Sequence, residues 1–536
     1  MNDVKRFLEA TAKQILPRIL TQISRDPGAP FHGACDRNWW HYKIRDFPSI
    51  ILQQAGYALS IAADLPLASS TGGQLRELAA ASARFWNQRA VLHGAFEEYY
   101  PYEQGYPPVA FSTLAVAKLC QQGIVTLADV RPGLVIAARQ LLTRFEAEAA
   151  NQQIAGTAAL SVIRSLDASL IAEPEFQQIL SRTLALQHGE GWFPEYDGPD
   201  LGYLSVSIDC LWDLFDQTGD SRVRQAITMA ADYTAWFVLS PIGAAGMHNS
   251  RNTDYFVPYG LVRLALEEAP SSGRSSAVVR GIFNRRHARS FHPFDAVDDR
   301  YWSHYIGHSV FRALLLLEKA DAPSVTSSEH LTPLPSRQPG SGHALLKSAS
   351  GACALISTRK GSIATAVWPD GTCANDFGWI VESSGKLFVS HWSSNDWTVG
   401  STDESTTCEG YLVAHKEFVS SPGKHIVLRI GSFLLGRRLI RSLKRLVIFK
   451  KPQRTYLFSR RVTFEGDALV ILDKITGVSD ADRITRAPRS SKRHVASADS
   501  FHPEDFEMMR GFAKSETIKR GDGLFECETR YVKAFS

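Results

Sequence analysis

Apolar residues recur at helical spacing through roughly the first 321 residues of the chain. An apolar side chain every three or four positions is typical of an amphipathic helix. Capping signals support several of these segments: Asp46 with Pro48 opens one, and Thr253-Asp254 with Pro258 opens another. The pattern predicts about twelve helices. Their approximate bounds are 3–25, 47–68, 73–91, 109–121, 130–149, 152–170, 174–187, 202–218, 220–237, 254–268, 276–289 and 300–319.

The period changes after a segment rich in Pro, Ser and Thr at residues 322–343. Short β-branched or aromatic runs follow, separated by Gly, Asp and Lys turns, and they predict an antiparallel sandwich or barrel. Helices first and strands second indicate two domains, 1–321 and 344–536, joined by the 322–343 linker. The predicted strands lie within the runs GACALISTRKGSIATAVWP, GWIVESSGKLFVSHW, HIVLRI, RLVIFK, RTYLFSRRVTF and DALVILDKI.

Composition narrows the class of protein. A chain of 536 residues is too long for one compact core. With 44% hydrophobic and 21% charged residues it has the composition of a water-soluble globular protein. The formal charge of +4 permits an acidic ligand and does not call for nucleic acid as a partner. The sequence leaves the oligomeric state open.

The sequence contains few of the motifs that would indicate a secreted or membrane protein or a bound cofactor. The seven cysteines are scattered and odd in number, without a CxxC pair, which argues against a disulfide framework and for a reducing compartment. No signal peptide pattern and no apolar run of roughly 20 residues is present, so we expect a cytoplasmic protein with no membrane span. There is no P-loop, dinucleotide fingerprint or GxSxG elbow, and we expect no cofactor.

The segment GWFPEYDGPDLGY, residues 191–203, combines aromatic rings with carboxylates in a stretch broken by Gly and Pro. Such a stretch is unlike a helix or a central strand. Trp192, Tyr196 and Tyr203 offer flat apolar faces, and Glu195 accepts hydrogen bonds, which suits a polar ring-shaped ligand such as a sugar. The alternative is a loop that folds back and buries its own rings.

Other unusual loops follow the odd-numbered predicted helices, at residues 26–45, 92–108, 238–253 and 289–299. If neighbouring helices alternate in direction, these loops and 191–203 gather at one end of the domain, as functional loops on a rigid scaffold do. The short loop after the fifth helix does not fit. The histidines His304 and His308 are four residues apart, and without an HExxH signature they favour packing over a metal site.

Four segments carry a family resemblance: HYKIRDFPS, GWFPEYDGPDLGY, SRNTDYFVPYG and NDFGWIVESSGKLFVSHW. They resemble segments of heparinase II/III-like polysaccharide lyases associated with bacterial surface-polysaccharide loci. The resemblance implies an (α/α) toroid of about twelve helices followed by an antiparallel β-sandwich, with a substrate cleft between them. It also implies an acidic polysaccharide or oligosaccharide partner and β-elimination at a uronic acid, in which the C5 proton leaves and the O4-linked sugar departs.

This chemistry needs a group that neutralises the uronate carboxylate, a base near C5 and an acid at the leaving oxygen. The expected helix N-terminus after residue 253 favours anions, and Arg251 adds a planar donor fork. The resemblance makes Arg251 and Asn252 the neutralisers and Tyr255 the base or acid, with His248 as its partner and His41 as another catalytic candidate. The expected sugar-binding residues are Trp192, Glu195, Tyr196, Tyr203, Arg37, Trp40, Tyr100 and Asn249.

One departure from the family leaves alternatives open. Many relatives carry an HxD-like histidine where this chain reads Asn375-Asp376. Asparagine cannot exchange a proton, so either His391, His41 or His248 takes that role or the protein does not cleave. The alternatives are therefore a uronate C5-epimerase and a non-catalytic polysaccharide-binding or assembly protein. A glycosidase would need Glu195 with Glu98 or Asp36 about 5–9.5 Å apart.

A basic run lies in the second domain and has two interpretations. It lines a cleft for an acidic polymer, or it forms solvated edge strands that are kept apart by their charge. Its members are Arg437, Arg438, Arg441, Lys444, Arg445, Lys450, Lys451 and Arg454.

Overall fold

A computed structural model describes most of the chain. The described residues are 1–94, 96–243, 246–253, 255–267, 274–283, 297–320, 337–338, 340–415, 419, 421–436, 438, 454–491 and 512–533.

The first part of the chain is helical, and each of the twelve predicted segments contains a helix. Fourteen α-helices lie within its described residues, two of them short. They are α1 (Asn2–Gln22), α2 (Arg37–Trp40), α3 (Ala55–Ala62), α4 (Gly72–His93), α5 (Tyr106–Gln121), α6 (Leu127–Leu142), α7 (Ala150–Leu166), α8 (Glu173–Leu184), α9 (Leu201–Thr218), α10 (Ser221–Val238), α11 (Tyr259–Glu267), α12 (Arg274–Phe283), α13 (Asp299–Trp302) and α14 (Tyr305–Lys319).

These helices form two concentric rings. Helices α3, α5, α7, α9, α11 and α14 contact one another in a closed inner circle, and α1, α4, α6, α8, α10 and α12 lie outside them. The inner helices α5, α7 and α9 bury nearly every side chain because they are covered on both faces. The predicted (α/α) toroid is confirmed.

Several helix boundaries differ from the prediction, and the helix predicted at 130–149 ends at Leu142. The predicted helix 47–68 consists of a 3₁₀ turn at Ile50–Gln54, then α3, then a second 3₁₀ turn at Pro66–Ala68. The predicted helix 254–268 begins only at Tyr259. Pro258 restricts the residue before it to extended backbone, so the chain cannot turn helical earlier. The expected anion site at a helix N-terminus directly after residue 253 is therefore wrong.

The second part of the chain forms three antiparallel sheets in its described residues. The first has the order β1-β2-β3-β4-β5, the second β10-β7-β6-β13, and the third β14-β15-β12-β11-β9-β8. The strands are β1 (Arg337–Gln338), β2 (His343–Lys347), β3 (Cys353–Ser357), β4 (Ile363–Val367), β5 (Cys373–Asp376), β6 (Trp379–Ser383), β7 (Lys386–Val389), β8 (Thr398–Ser401), β9 (Ser405–Tyr411), β10 (Val413–His415), β11 (Leu457–Glu465), β12 (Ala468–Thr476), β13 (Arg483–Arg486), β14 (Phe512–Gly521) and β15 (Leu524–Lys533).

One predicted strand is wrong. The run HIVLRI belongs to a helix, α15 (Pro422–Leu435). The hydroxyl of Ser421 accepts a hydrogen bond from the Lys424 N–H, and Pro422 occupies the first turn, which together start a helix. The β-branched residues in the run suggested a strand, although the apolar positions that continue to residue 434 have helical spacing. The run RLVIFK lies outside the described residues.

Candidate functional site

The loops at one end of the toroid converge. Backbone hydrogen bonds join Ile50 N–H to the Glu97 carbonyl at 2.8 Å and Ser250 N–H to the Pro199 carbonyl at 3.0 Å. The Arg300 guanidinium reaches the Ser49 hydroxyl at 3.3 Å. The Arg45 guanidinium donates to the Glu98 carbonyl at 2.6 Å. The segments 26–45, 92–108, 191–203 and 238–253 therefore have neighbours at the same end, as predicted; residues 95, 244–245 and most of 289–299 lie outside the described part.

The short loop that did not fit the pattern also lies at this end. Tyr196 N–H donates to the Glu148 carbonyl at 2.6 Å, and Ala149 forms an isolated antiparallel bridge with Glu195. The connection before α7 is therefore part of the same group of loops. The predicted helix 130–149 hid this connection, because α6 ends at Leu142 and residues 143–149 lead from it to α7.

The rings of segment 191–203 are packed inside the protein. Trp192 stacks on His188 with ring centroids 4.6 Å apart and donates its indole N–H to Glu190 at 3.0 Å. Tyr196 and Tyr203 are both buried. Tyr196 and the next residue adopt left-handed backbone, with φ of 54° and 74°, which folds the loop back onto the toroid. This arrangement matches the alternative in which the segment buries its own rings.

The acids of the same segment hold the loop together. Asn151 donates to the Glu195 carboxylate from its backbone at 3.1 Å and also from its side chain, and the Arg251 guanidinium lies 3.4 Å away. Burial, partly offset by Arg251, raises the pKa of Glu195 from 4.5 to about 7. Asp200 caps α9 and accepts from the backbone N–H of Arg251 and Thr253, both at 3.3 Å.

A buried lysine fixes residues 246–253 of the toroid. It comes from the sheet-forming second part of the chain, which we call the β-domain. The Lys360 ammonium donates to the backbone carbonyls of Met247 and Asn249, each at 2.8 Å. It also donates to the Asn252 side-chain oxygen at 2.6 Å and to the Ser490 hydroxyl at 3.0 Å. The Asn252 amide nitrogen donates to the Ser490 carbonyl at 2.9 Å. Both ends of the Asn252 amide are thus engaged between the two domains.

His248 lies on the same side of this turn. One ring nitrogen is 2.9 Å from the Thr365 hydroxyl, which donates to the Asn375 side-chain oxygen at 2.7 Å. The His248 carbonyl accepts from His343 at 3.1 Å. Burial, His343 and Lys360 hold the pKa of His248 well below its ordinary value, so the ring is neutral at pH 7. Asn375 therefore meets His248 indirectly, through a threonine.

Asn249 is the one predicted residue at this junction with an unused side chain. It is fully buried, and neither its amide oxygen nor its amide nitrogen has a hydrogen-bond partner among the described residues. A buried amide without partners costs free energy, so such groups call for a ligand or a bound water.

The opposite side of the turn faces a cluster of tyrosines. The Arg251 guanidinium lies over the Tyr203 ring, 4.0 Å from its centroid, and 5.3 Å from that of Tyr196. The phenol oxygens of Tyr255 and Tyr305 are 2.7 Å apart, and both side chains are buried. The Tyr203 and Tyr255 rings are 6.4 Å apart with an edge-on geometry.

This tyrosine cluster extends toward the surface through residues 298–305. The Tyr301 ring lies 5.0 Å from that of His304, which lies 6.0 Å from that of Tyr305. Tyr301 and Arg300 are only half-buried. The Arg300 guanidinium lies 5.6 Å from the ring centroid of Tyr99, which is exposed.

We define the tyrosine cluster as Tyr203, Tyr255, Tyr301 and Tyr305 with Arg251, Arg300 and His304. Its protonation states follow from burial. Desolvation, followed by the neighbouring phenols Tyr305 and Tyr203, raises the pKa of Tyr255 well above its ordinary value. Burial likewise raises the pKa of Tyr301, although Arg300 opposes the shift. Burial and then Arg300 hold the pKa of His304 well below its ordinary value. At neutral pH the phenols of Tyr255, Tyr301 and Tyr305 carry their protons and the His304 imidazole is neutral.

His304 has an unusual environment. It is almost fully buried, and neither ring nitrogen has a hydrogen-bond partner among the described residues. A neutral imidazole with a free nitrogen beside a protonated phenol is a base and acid pair in contact. The sequence showed His304 only as one of two histidines four residues apart, and its burial and unpartnered ring nitrogens were not visible there.

The remaining predicted residues lie at the edge of this end of the toroid. His41 is exposed, with its ring against Trp40 and Tyr42. Trp40 is half-buried and donates its indole N–H to the Gln22 carbonyl at 2.8 Å, and Arg37 lies 5.2 Å from the Tyr42 ring. Tyr100 is half-buried. No described contact joins these four residues to His248 or Tyr255.

The carboxylates of the glycosidase alternative are engaged elsewhere. Asp36 accepts from Ser49 N–H at 2.9 Å and from Arg45 at 3.2 Å. Glu98 is buried within 4.0 Å of Arg300, and burial raises its pKa. Each acid therefore has a structural partner at this end of the toroid.

Asp376, beside the departed family histidine, belongs to the interior of the β-domain. It accepts from Arg460 at 2.9 Å, from Arg486 at 2.6 Å and from the Tyr531 hydroxyl at 2.8 Å. Arg460 in turn pairs with Asp473 at 2.6 Å. These cations outweigh the effect of burial and hold the pKa of Asp376 well below its ordinary value. This set of ion pairs is complete and leaves Asp376 no acceptor site for substrate.

Two further findings concern ligands and membranes. Within the described ranges, no group of three or more His, Cys, Asp or Glu side chains is arranged to hold a metal ion. All seven cysteines are buried. Across the same ranges, no helix has both the length and the apolar character that crossing a bilayer requires.

Several residues of the site were missed from the sequence. Lys360, Thr365 and Ser490 come from the β-domain, and Arg300 and Tyr305 come from the end of the toroid. The one signal near Arg300 and Tyr305 was the spacing of His304 and His308, which favoured packing over a metal site.

The architecture consists of two rings of helices followed by antiparallel sheets, with polar contacts across the junction between them. No family model matches the sequence, and no curated protein matches it. Among solved structures, the chain is similar to the chondroitin AC lyase of Streptomyces coelicolor A3, determined in complex with chondroitin sulphate. The TM-score is 0.50 at 10% identity, covering 98% of this chain and 77% of the lyase. At that identity the similarity establishes a lyase-like fold.

Proposed function

We propose that this protein is a polysaccharide lyase that acts on a uronic-acid-containing polymer by β-elimination, with its reaction centre in the tyrosine cluster. The observation that carries the proposal is the convergence of four tyrosines, two arginines and an unpartnered neutral histidine, from three separate segments, at the loop end of a lyase-like toroid. Cations, phenols and an imidazole are the groups that the elimination requires.

Arg300 suits the neutralisation of the uronate carboxylate. It is half-buried at the edge of the tyrosine cluster, and it is held in place by Ser49 at 3.3 Å and Glu98 at 4.0 Å. Its planar donor fork matches a carboxylate, and neutralising that charge stabilises the carbanion that forms at C5. Arg251 lies deeper, where it supports the Tyr203 ring and the Glu195 carboxylate.

His304 and Tyr301 suit the two proton transfers. The neutral His304 imidazole takes the C5 proton, and the protonated Tyr301 phenol gives its proton to the departing O4. The resulting imidazolium then returns its proton to the phenolate, so the pair ends as it began. Tyr255 and Tyr305, whose phenols share a hydrogen bond, lie behind this pair and exclude water. Substrate reaches His304 only after the loops move, because its ring is buried.

The predicted roles of His248 and Asn252 change in this proposal. Both serve as anchors between the domains, because their side chains are bonded to Thr365, Lys360 and Ser490. Asn249 lies beside them as an unused buried amide, and we assign it to a ligand hydroxyl or a bound water. The sequence motifs still support a closer relationship with heparinase II/III-like proteins, which we infer from the residues alone.

A second candidate function is non-catalytic polysaccharide binding. It is favoured by the burial of His304, Tyr255 and Tyr305, which closes most of the cluster to a polymer in this conformation. In that case Tyr99, Arg300 and Tyr301 form a binding surface with aromatic and cationic contacts.

The test is a panel of uronate-containing polysaccharides, chondroitin sulphate among them, incubated with purified protein in deuterated water. New ultraviolet absorbance from unsaturated uronate supports the lyase. Deuterium at C5 without cleavage identifies an epimerase and overturns the elimination. New reducing ends without unsaturation identify a hydrolase. Binding with none of these changes leaves the second candidate, and no binding to any member contradicts both.

A further inference from the structure

Helix α15 is attached to the rest of the protein along a narrow strip. Arg429 pairs with Asp46, and the Ser432 hydroxyl donates to the Pro101 carbonyl at 3.1 Å. The Phe433 ring lies 5.2 Å from the ring of Tyr102. Ser432 is the only buried residue of the helix. The helix therefore rests on the toroid loops through one edge and leaves most of its surface to solvent.

The exposed part of α15 is apolar. Ile426, Val427, Ile430, Phe433 and Leu434 occupy positions i, i+1, i+4, i+7 and i+8, which share one helical face. Their exposed fractions run from 55% to 71%. A helix of a globular protein ordinarily turns such a face inward, and a contiguous exposed apolar surface marks a site of interaction.

The surrounding sequence is strongly basic. No Asp or Glu occurs between residues 418 and 464, while basic residues recur throughout. Lys424 and Arg429 lie on the helix itself and Arg438 just after it. The basic residues up to 454 are Lys424, Arg429, Arg437, Arg438, Arg441, Lys444, Arg445, Lys450, Lys451 and Arg454, of which Arg437 and those from 441 to 451 lie outside the described residues.

We propose that α15 docks the protein onto the surface of an anionic lipid bilayer, lying in the interface with its apolar face among the acyl chains. The apolar stripe supplies an insertion surface, and the acid-free basic sequence complements lipid phosphates. An acidic polysaccharide would match the charge but has no apolar phase to cover Val427 and Leu434. The helix is 14 residues long, short of the roughly 20 that a membrane span needs, so it lies on the membrane.

The docking surface is independent of the proposed reaction. It also includes exposed toroid residues near the helix. Tyr102 contacts Phe433, and Ile44 is highly exposed two residues before Asp46, the partner of Arg429. Docking would therefore place the loop end of the toroid close to the bilayer.

The test is flotation of the full chain with vesicles of phosphatidylcholine alone or with about 30% phosphatidylserine. We expect flotation with the anionic vesicles, weaker at about 0.5 M than at about 0.1 M salt. The double variant Val427→Ser/Leu434→Ser should lower it at least about tenfold because it removes inserted apolar surface. Lys424→Gln/Arg438→Gln should lower it by about fivefold per charge.

A matched control carries the same kind of change on exposed strands of the β-domain, Val399→Ser/Ile518→Ser, and should float like the parent protein. Four results would overturn the proposal. In the first, the parent protein fails to float with anionic vesicles. In the second, the control variant loses as much flotation as the α15 variant. The α15 variant loses chondroitin sulphate binding while flotation is unchanged. Or sedimentation shows a dimer that only the α15 variant dissociates, without vesicle binding by the parent.

Discussion

The two sides of the segment around residues 246–255 differ in how completely their polar groups are satisfied. Toward the β-domain, Lys360 makes four hydrogen bonds of 2.6–3.0 Å, and Asn252 uses both ends of its amide. Toward the toroid, Tyr255 and Arg251 belong to the tyrosine cluster, in which His304 has no hydrogen-bond partner among the described residues.

We infer from this difference that the side toward the β-domain anchors the segment and that the side toward the toroid carries the chemistry. A buried charge with every donor used is fixed, because any movement would expose unpaired groups to an apolar interior. An unpartnered imidazole beside protonated phenols is poised to exchange protons, at some cost in stability. The two sides should therefore respond in opposite ways to substitution: the first in stability, the second in turnover.

The largest expected effect is on the anchored side. Lys360→Met leaves two carbonyls, an amide oxygen and a hydroxyl without their donor, and should lower the free energy of unfolding by about 3 kcal/mol or more. The matched control is Lys386→Met, at an exposed position of β7. Chemical denaturation measures both. A loss below about 1 kcal/mol would remove the anchoring role assigned to Lys360.

The pH dependence of stability also tests the comparison. It does so through Glu195, whose carboxylate supports Arg251 on the toroid side. Its folded-state pKa of about 7 exceeds its ordinary value of 4.5, so between these values the folded protein holds a proton that the unfolded chain releases. The free energy of unfolding of the parent then falls as pH rises through this window. Glu195→Gln should gain about 3 kcal/mol relative to the parent between pH 4.5 and 7, with no further gain above. A difference that does not change with pH would contradict the buried position of this carboxyl.

Substitutions in the tyrosine cluster should lower the turnover number of the enzyme. Tyr301→Phe should lower it about 100-fold, as expected for the loss of a general acid. Stability should change by only about 1 kcal/mol. The control is Tyr456→Phe, which loses a 3.1 Å hydrogen bond to Asp482 in the β-domain. Unchanged turnover in Tyr301→Phe with binding intact would remove this phenol from the mechanism.

The smallest expected effect concerns Arg300. Arg300→Gln should lower kcat/KM for an acidic oligosaccharide about tenfold and flatten its dependence on salt, because the cation that neutralises the uronate carboxylate is lost. Arg483→Gln, at an exposed position of β13, is the control. Equal shifts in both variants would indicate a general charge effect and not a carboxylate site.

The sequence was a good guide to the fold and a poorer one to the site. Helical and strand periods predicted the toroid and the antiparallel sheets because both depend on local patterns of burial. The same patterns failed for HIVLRI, where β-branched residues hid a capped helix, and for residues 254–258, where Pro258 delays the helix.

The site depended on contacts between distant segments, which no local pattern contains. Trp192 and Tyr196 looked like sugar platforms, yet they are buried against the toroid. Lys360 looked like an ordinary residue in a turn between strands, yet it joins the two domains. Arg251 and Tyr255 were candidates from the sequence, while Tyr305 was not singled out and His304 was assigned to packing.

The central claim is that substrate meets the tyrosine cluster and not the anchored junction. Amide hydrogen exchange with the tightest-binding oligosaccharide of the panel tests it directly. Because bound ligand slows the opening of the backbone it contacts, we expect slower exchange in residues 97–103 and 298–305, with 343–362 unchanged. Slower exchange confined to 343–362, with the loop end of the toroid unaffected, would contradict the claim.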